Sequence, residues 1–471
     1  MFVMAFVVLL TETGGPTAKA IAAQHRSDQA SWERKQIPLL EVNSERTRAM
    51  GIRRLDGRHL ILYTDLAPSI DVDQLPLAID LAVDQWSDFF DVPRSVTIAW
   101  KLQAFLIQDA NRFRQAGLLP DDLPDFPAGI NRGNNIWLYT QPGTYYTRHL
   151  LLHEGTHAFM EAFLGGVGSP WYAEGMAEKL GLHQWHQETE GNENALPRLS
   201  INFRVENSDQ VPHWGRVKLI RGDCQRKRRL SLEEVLRLPP YAFREARFYG
   251  WAWAACEFLA THPDSRDAFA SWNQQLKRSS AVFDQLVETS LQPIWNNLAR
   301  DWELFIDEID YGSNGRAAHI APAKKINPVQ LGAQNLGAQN LGYRISSSLA
   351  WQITEIQLQP GTSIHVKCHS RFQVGQSMIA GQLTPWESTA NGITLHYYRS
   401  RPLGELLVGT IDESAADVDA QIEGLRAYQP LGVSGVFTAT RPGRVCFRIN
   451  ASPARMDDNQ GDLDLEIQIV Q

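Results

Sequence analysis

Between Leu150 and Leu182 the chain reads LLLHEGTHAFMEAFLGGVGSPWYAEGMAEKLGL, and the pentad His153-Glu154-Gly155-Thr156-His157 inside it constrains the fold more than any other stretch. Residues four apart on a helix lie one above the other, so a helix here presents both imidazoles from one face. Two neutral imidazoles at about 2.0–2.1 Å from a Zn²⁺ ion leave positions for a third protein ligand and a water. Glu154, one residue after the first histidine, can then reach that water as a base.

The surroundings fit a helix. Leu151, Leu152, Ala158, Phe159 and Ala162 are available to bury its opposite side, and Gly165-Gly166 stops it. A second helix, opened by Ser169-Pro170-Trp171 and closed by Gly181, carries Glu174 and Glu178 one turn apart. Glu174 follows His157 by seventeen residues, a spacing that lets a helix-turn-helix fold its carboxylate back to the metal. Glu178 suits the neighbouring role, accepting the other N–H of a ligand imidazole. His149, one turn before His153, is a rival ligand. It is read here as a supporting residue at the start of the helix.

HEGTHAFM followed by WYAEGMAE resembles the gluzincin metallopeptidases, and more narrowly bacterial peptidase MA-like domains, in which HExxH precedes a W-x-x-E-G-x-A segment. The resemblance implies that His153, His157 and Glu174 are zinc ligands and that Glu154 is the general base. It covers roughly residues 52–258 in arrangement but only these two helices in motif. It also implies an aromatic hydroxyl on a downstream helix that donates to the oxyanion, for which Tyr249 is the candidate.

A chain of 471 residues exceeds what one core holds, so a multidomain protein is expected. The net charge of −8 argues against a nucleic-acid footprint. The single basic run, Arg226-Lys227-Arg228-Arg229, reads as a solvated loop. Residues 1–10, MFVMAFVVLL, are apolar over about the length of a signal peptide and too short to span a bilayer. With Ala18-Lys19-Ala20 as a small-x-small cleavage site, residues 1–20 are read as a signal peptide, and a secreted or periplasmic protein without an integral membrane segment is expected. Four cysteines could pair as Cys224 with Cys256 and Cys368 with Cys446 if oxidised, but four allow three connectivities.

Residues 21–50 read as a linker or loosely packed approach, and residues 51–312 as an α+β metallopeptidase-like region with a small mixed sheet and a helical lobe. Its expected elements are a strand over 58–64, a helix over 73–90, strands over 96–100 and 135–139, and a helix over 105–116. The strand over 134–139 is a candidate sheet edge that could pair with an extended peptide. His183, His186 and His213 lie in polar, loop-rich sequence and are read as surface groups. Residues 313–342, with the repeat LGAQN-LGAQN-LG, read as a spacer.

Residues 343–471 carry seven short alternating stretches, at 351–358, 363–368, 392–398, 406–411, 435–438, 444–449 and 464–470, which suggest an all-β sandwich. Their order, ending in RPGRVCFRINASPARMDDNQGDLDLEIQI, is similar to bacterial galactose-binding lectin domains with a DN-x-G turn before the last strand. That resemblance implies Ca²⁺ or sugar at Asp457, Asp458 and Asn459. An ordinary hairpin rich in turn-forming residues is the competing reading. The sequence thus leads to a secreted zinc metallopeptidase acting on peptide or protein, with a C-terminal module that binds carbohydrate. The alternative is a glycan-binding or adhesion protein whose zinc lobe is catalytically silent.

Overall fold

A computed structural model describes residues 38–187, 197–327, 340–379 and 381–470. The signal peptide expected at 1–20, most of the approach segment at 21–50 and nearly all of the LGAQN repeat lie outside these residues. The described chain is mixed α/β, with several sheets and a β-rich C-terminal region.

The first sheet has the order β1-β2-β3-β5-β4, from β1 (Arg53–Asp56), β2 (Leu60–Thr64), β3 (Leu102–Ile107), β4 (Gly129–Arg132) and β5 (Asn135–Tyr139). Strands β2, β3 and β5 run parallel, and β1 and β4 close the two edges antiparallel. Every residue of β3 is buried, as expected of a strand covered on both faces. Helix α1 (Ser44–Ala49), which lies within the expected linker, is capped by Asn43, whose side chain accepts from the Arg46 N–H. Helix α2 (Leu75–Phe89) lays Leu75, Ala78, Ile79, Ala82, Val83 and Trp86 against the sheet side of the core, and α3 (Ala110–Ala116) follows β3.

Two expected elements are displaced. The VTIAW alternation at 96–100 is not a strand: Pro93 opens one helical turn, Arg94–Thr97, and the strand begins at Leu102. The helix expected over 105–116 gives up its first part to β3, because Asp109 caps α3 by accepting from the Asn111 N–H.

The helical lobe contains α4 (Thr144–Phe159), α5 (Pro170–Gly181), α6 (Arg216–Gln225), α7 (Ala246–Thr261) and α8 (Trp295–Asp307), with an antiparallel pair of β6 (His183–His186) and β7 (Arg198–Ile201) after α5. Their common core includes Trp171, Tyr172, Trp251, Phe258, Trp272 and Trp302, with edge-to-face or tilted ring pairs throughout. No helix among the described residues is long and apolar enough to cross a membrane.

The C-terminal region packs two sheets face to face. One has the order β18-β12-β21-β10-β9, built from β9 (Lys324–Ile326), β10 (Asn340–Ser346), β12 (Ser363–Cys368), β18 (Ser434–Thr438) and β21 (Asp462–Val470). The other has the order β15-β16-β19-β11-β8, built from β8 (Ala321–Pro322), β11 (Gln352–Leu358), β15 (Asn391–Tyr398), β16 (Arg401–Ile411) and β19 (Gly443–Ile449). All seven stretches expected from alternation lie in strands. The hairpin of β13 (Phe372–Ile379) with β14 (Gln382–Ser388), the short strands β17 (Gln429–Pro430) on β16 and β20 (Asn459–Gln460) on β13, and helix α9 (Val418–Arg426) lie outside the expected stretches.

The expected spacer is folded wherever it is described. Strand β8 pairs with β11, β9 pairs with β10, and His319 Nδ1 lies 3.3 Å from Asp301 on α8. The sandwich is further bound to α8 and the residue after it through Arg448 to Glu308 at 2.9 Å and Arg426 to Asp307 at 2.7 Å. The four cysteines are unpaired, contrary to the two bridges considered above.

Candidate metal centre

Helix α4 runs through the middle of the fold and is buried on nearly every side, which is why its sequence shows no clean polar face. It continues into a π-helical turn, Met160–Leu164, that ends at Gly165 in the left-handed region, so the expected stop falls where the glycine pair stands. Helix α5 starts at Pro170 and returns alongside α4. Its residue after Glu174 is Gly175, where a Cβ would fall 2.4 Å from the Ala252 carbonyl oxygen and 2.5 Å from Cys256 Sγ. Only glycine lets α5 approach α7 this closely, and that approach brings Tyr249 to the same site as Glu174.

His153, His157 and Glu174 converge. Glu174 Oε2 is 3.1 Å from His153 Nε2 and 3.4 Å from His157 Nε2, and the three donor atoms form one group in which each is within 4.8 Å of the others. The side chains of His157 and Glu174 remain 14% and 23% exposed, so the group keeps a face toward solvent. Two imidazole nitrogens and one carboxylate oxygen around an open position form a donor set that suits a divalent metal. Burial alone would push the Glu174 carboxyl up, but the charge of His157 and hydrogen bonds from both histidines hold it down at about 2. Burial opposes charging of His157, yet the Glu174 carboxylate beside it lifts its pKa to about 9. A proton thus holds the place between them that a metal ion can take.

Glu154 points to the same region from one residue along α4. It is buried, and burial raises its carboxyl above the ordinary range. It lies against β4, the edge strand: a Cβ on Gly129 would be 2.8 Å from Glu154 Oε1. The strand beside the site is therefore β4. The expected edge at 134–139 is internal, since β5 is paired with β3 on one side and β4 on the other.

Glu178 sits behind His153, with Oε1 3.6 Å from His153 Nδ1. At that distance Glu178 lies on the Nδ1 side of the ring, away from the Nε2 that faces Glu174, without a direct hydrogen bond to it. His149 is buried, with Nε2 3.4 Å from Glu178 Oε2, and its ring stacks on Tyr146 at 5.4 Å. His149, His153 and Glu178 form a second group of donor atoms within 4.8 Å. It does not suit a cation, because Glu178 already accepts from Arg216 Nη2 at 2.7 Å, Arg216 Nε at 3.0 Å and Trp214 Nε1 at 2.8 Å. His149 thus stays a supporting residue. Tyr249 comes within 5.9 Å of His153, ring to ring, and burial together with Glu174, Glu154 and Glu178 pushes its phenol pKa up, so it remains a proton donor at neutral pH.

A third group, His262, Asp301 and His319, also brings its donor atoms within 4.8 Å of one another. Here the Asp264 N–H donates to His262 Nδ1 at 3.2 Å, which puts the ring proton on Nε2, 3.0 Å from Asp301 Oδ2. Arg300 Nε donates to the other oxygen at 2.8 Å. The carboxylate is satisfied by protein donors alone, and the group is a buried network that holds the start of the sandwich to α7 and α8.

Several expected roles change. His183 is fully buried, stacked on Tyr145 at 4.3 Å, and burial pulls its pKa down to about 3, so it is a core residue. The three C-terminal candidates are each engaged by the protein's own groups. Asp457 is paired with Arg204 at 2.6 Å, Asp458 is partly buried with its carboxyl raised by burial, and Asn459 Nδ2 donates to the Ser347 carbonyl at 3.0 Å. The sequence reading missed Arg216 and Trp214, which lie more than thirty residues beyond Glu178 in polar sequence with no spacing that ties them to it.

No protein-family model and no curated protein matches the chain. Among solved structures, the chain is similar to one described as "EclA N-terminal domain; PllA-like lectin", at 12% identity and a TM-score of 0.20, over 27% of this chain and 95% of that one. At that level the likeness defines neither fold nor activity here.

Proposed function

We propose that the chain is a zinc-dependent metallopeptidase that hydrolyses peptide bonds with water as the nucleophile. The observation that carries this reading is the convergence of His153, His157 and Glu174 on one open position beside the buried carboxylate of Glu154. When bound there, zinc supplies Lewis acidity, polarising the scissile carbonyl and lowering the pKa of water to about 7. Glu154, its own proton affinity raised by burial, takes the proton from the attacking water and returns it to the leaving amine. Tyr249, kept protonated, donates to the oxygen on which negative charge develops. Edge strand β4 offers unpaired backbone groups to an extended substrate, orienting it without reading its side chains. Glu178 stands on the Nδ1 side of His153 and backs the ring in the rotation that would ligate through Nε2.

Glu154→Gln is expected to abolish cleavage of a broad peptide library while zinc content stays at the level of the unsubstituted chain. Full activity in that variant would overturn the assignment of the base. The sandwich architecture keeps a glycan-binding reading in play, and binding on a glycan array without any peptide cleavage would favour it. Export, read from residues 1–10, belongs to the same proposal and is tested by the N-terminal mass of the mature protein.

A further inference from the structure

The residue behind the centre that most needs a function is Arg216. It opens α6, is 8% exposed, and directs both Nε and Nη2 at one carboxylate, Glu178, at 3.0 and 2.7 Å. A planar guanidinium matches a carboxylate in this two-pronged way, whereas a lysine ammonium acts as a single point charge. The rest of the guanidinium is also engaged. Nη2 lies 3.3 Å from the Tyr146 hydroxyl, Nη1 donates to the Ala246 carbonyl at 3.3 Å, and the group lies over the Tyr249 ring at 5.2 Å. Backbone packing fixes its base as well: a Cβ on Gly250 of α7 would be 3.2 Å from the Arg216 carbonyl oxygen.

We infer that Arg216 is a positioning residue for the metal centre, acting on the ligand His153 through Glu178. Glu178 is 1% exposed and faces His153 and His149 on one side and Arg216 on the other. Its oxygens are held by Arg216 Nη2 on one side and by Arg216 Nε and Trp214 Nε1 on the other. Gripped at both oxygens, the carboxylate has one orientation, and that orientation sets Oε1 on the Nδ1 side of His153, 3.6 Å away. The carboxylate thereby backs the imidazole in the rotation that turns Nε2 toward Glu174. Arg216 touches neither the proposed ligands nor the open position. Its contact with the Tyr249 ring bears on the phenol, and its route to the ligand His153 is Glu178.

The inference rests on the zinc centre proposed above, and its test separates the two. Zinc affinity is measured on the full chain by competition with a chromophoric chelator for the unsubstituted protein, Glu178→Gln, Arg216→Met and the double variant. Each single change is expected to weaken zinc binding about 10- to 100-fold, the usual effect of removing a partner of a metal ligand. If Arg216 acts through Glu178, the double variant binds zinc as tightly as Glu178→Gln does. A further tenfold loss in the double variant would mean that Arg216 acts by another route and would overturn the inference while leaving the zinc centre intact. Arg216→Met alone strands a buried carboxylate and can fail to fold. The double variant removes that charge too, so its comparison with Glu178→Gln decides the matter by itself. An unsubstituted chain that takes up no zinc would remove both the centre and this inference.

Discussion

Gly129 and Glu154 touch across the boundary between the sheet and the helical lobe: a Cβ on Gly129 would come within 2.8 Å of Glu154 Oε1 and 3.2 Å of its Cγ. The edge strand and the proposed base are therefore fitted to one another, and a methyl group at Gly129 would displace the end of the Glu154 side chain. Gly129→Ala is expected to push the Glu154 carboxylate aside while leaving His153, His157 and Glu174 in place. Misplacement by about 1 Å can cost on the order of 100-fold in rate, so peptide cleavage should fall about 10- to 100-fold with zinc content unchanged. Undiminished kcat/KM in the alanine variant would separate Glu154 from the chemistry.

Metal uptake should depend on pH in a defined direction. In the metal-free protein His157 holds a proton up to about pH 9, because Glu174 offsets the cost of its burial. Glu174, held at about 2, is already ionised throughout the neutral range. Only neutral imidazole can ligate, so below pH 9 each metal ion must displace one proton. Apparent zinc affinity should rise about tenfold per pH unit from pH 6.5 toward 9 and then level off. Chelator competition at several pH values, with released protons followed by an indicator dye, measures this. An affinity that does not change with pH would remove His157 from the ligand set.

His183 gives a separate handle on stability. Burial lowers its pKa from 6.5 to about 3, so between those values the unfolded chain carries a proton that the folded chain does not. The stabilisation is fully present above pH 6.5 and is lost as pH falls through this window, at about 1.4 kcal/mol per pH unit. His183→Gln should lower stability at pH 7 and flatten the pH dependence by one proton's worth. Urea unfolding of both proteins from pH 7 to 4.5 checks it, and parallel slopes would contradict the assignment.

The sandwich should unfold together with the helical lobe. Arg448, with its side chain 5% exposed, is 2.9 Å from Glu308, and Arg426 is 2.7 Å from Asp307. Arg448→Ala leaves a largely buried Glu308 short of one cation and should cost about 3 kcal/mol. Calorimetry is expected to give one transition for the unsubstituted chain and two for the variant. Two transitions in the unsubstituted chain would mean that the regions are independent.

Much of the site was legible because its chemistry is local. HEGTH fixes two imidazoles and a carboxylate by helical period alone, and WYAEGMAE adds the third donor on a helix whose start at Pro170 and end at Gly181 are written in the sequence. The sandwich strands were legible from alternation for the same reason. What escaped the sequence depends on partners far along the chain. Nothing near Arg216 signals that it meets Glu178, and nothing near His183 signals the stacked Tyr145 that buries it. Arg229, read as part of a solvated basic run, turns inward to Glu303 at 2.7 Å. The five residues at 96–100 alternate like a strand, but so short a run is overruled by the turn that Pro93 starts.

The most direct test is metal analysis of the purified chain together with His153→Ala and Glu174→Gln. One zinc per unsubstituted chain, with binding lost in His153→Ala and weakened at least 100-fold in Glu174→Gln, is the result expected. A Glu174→Gln chain that holds zinc as tightly as the unsubstituted one, or an unsubstituted chain that holds none, would contradict a centre built from these two helices.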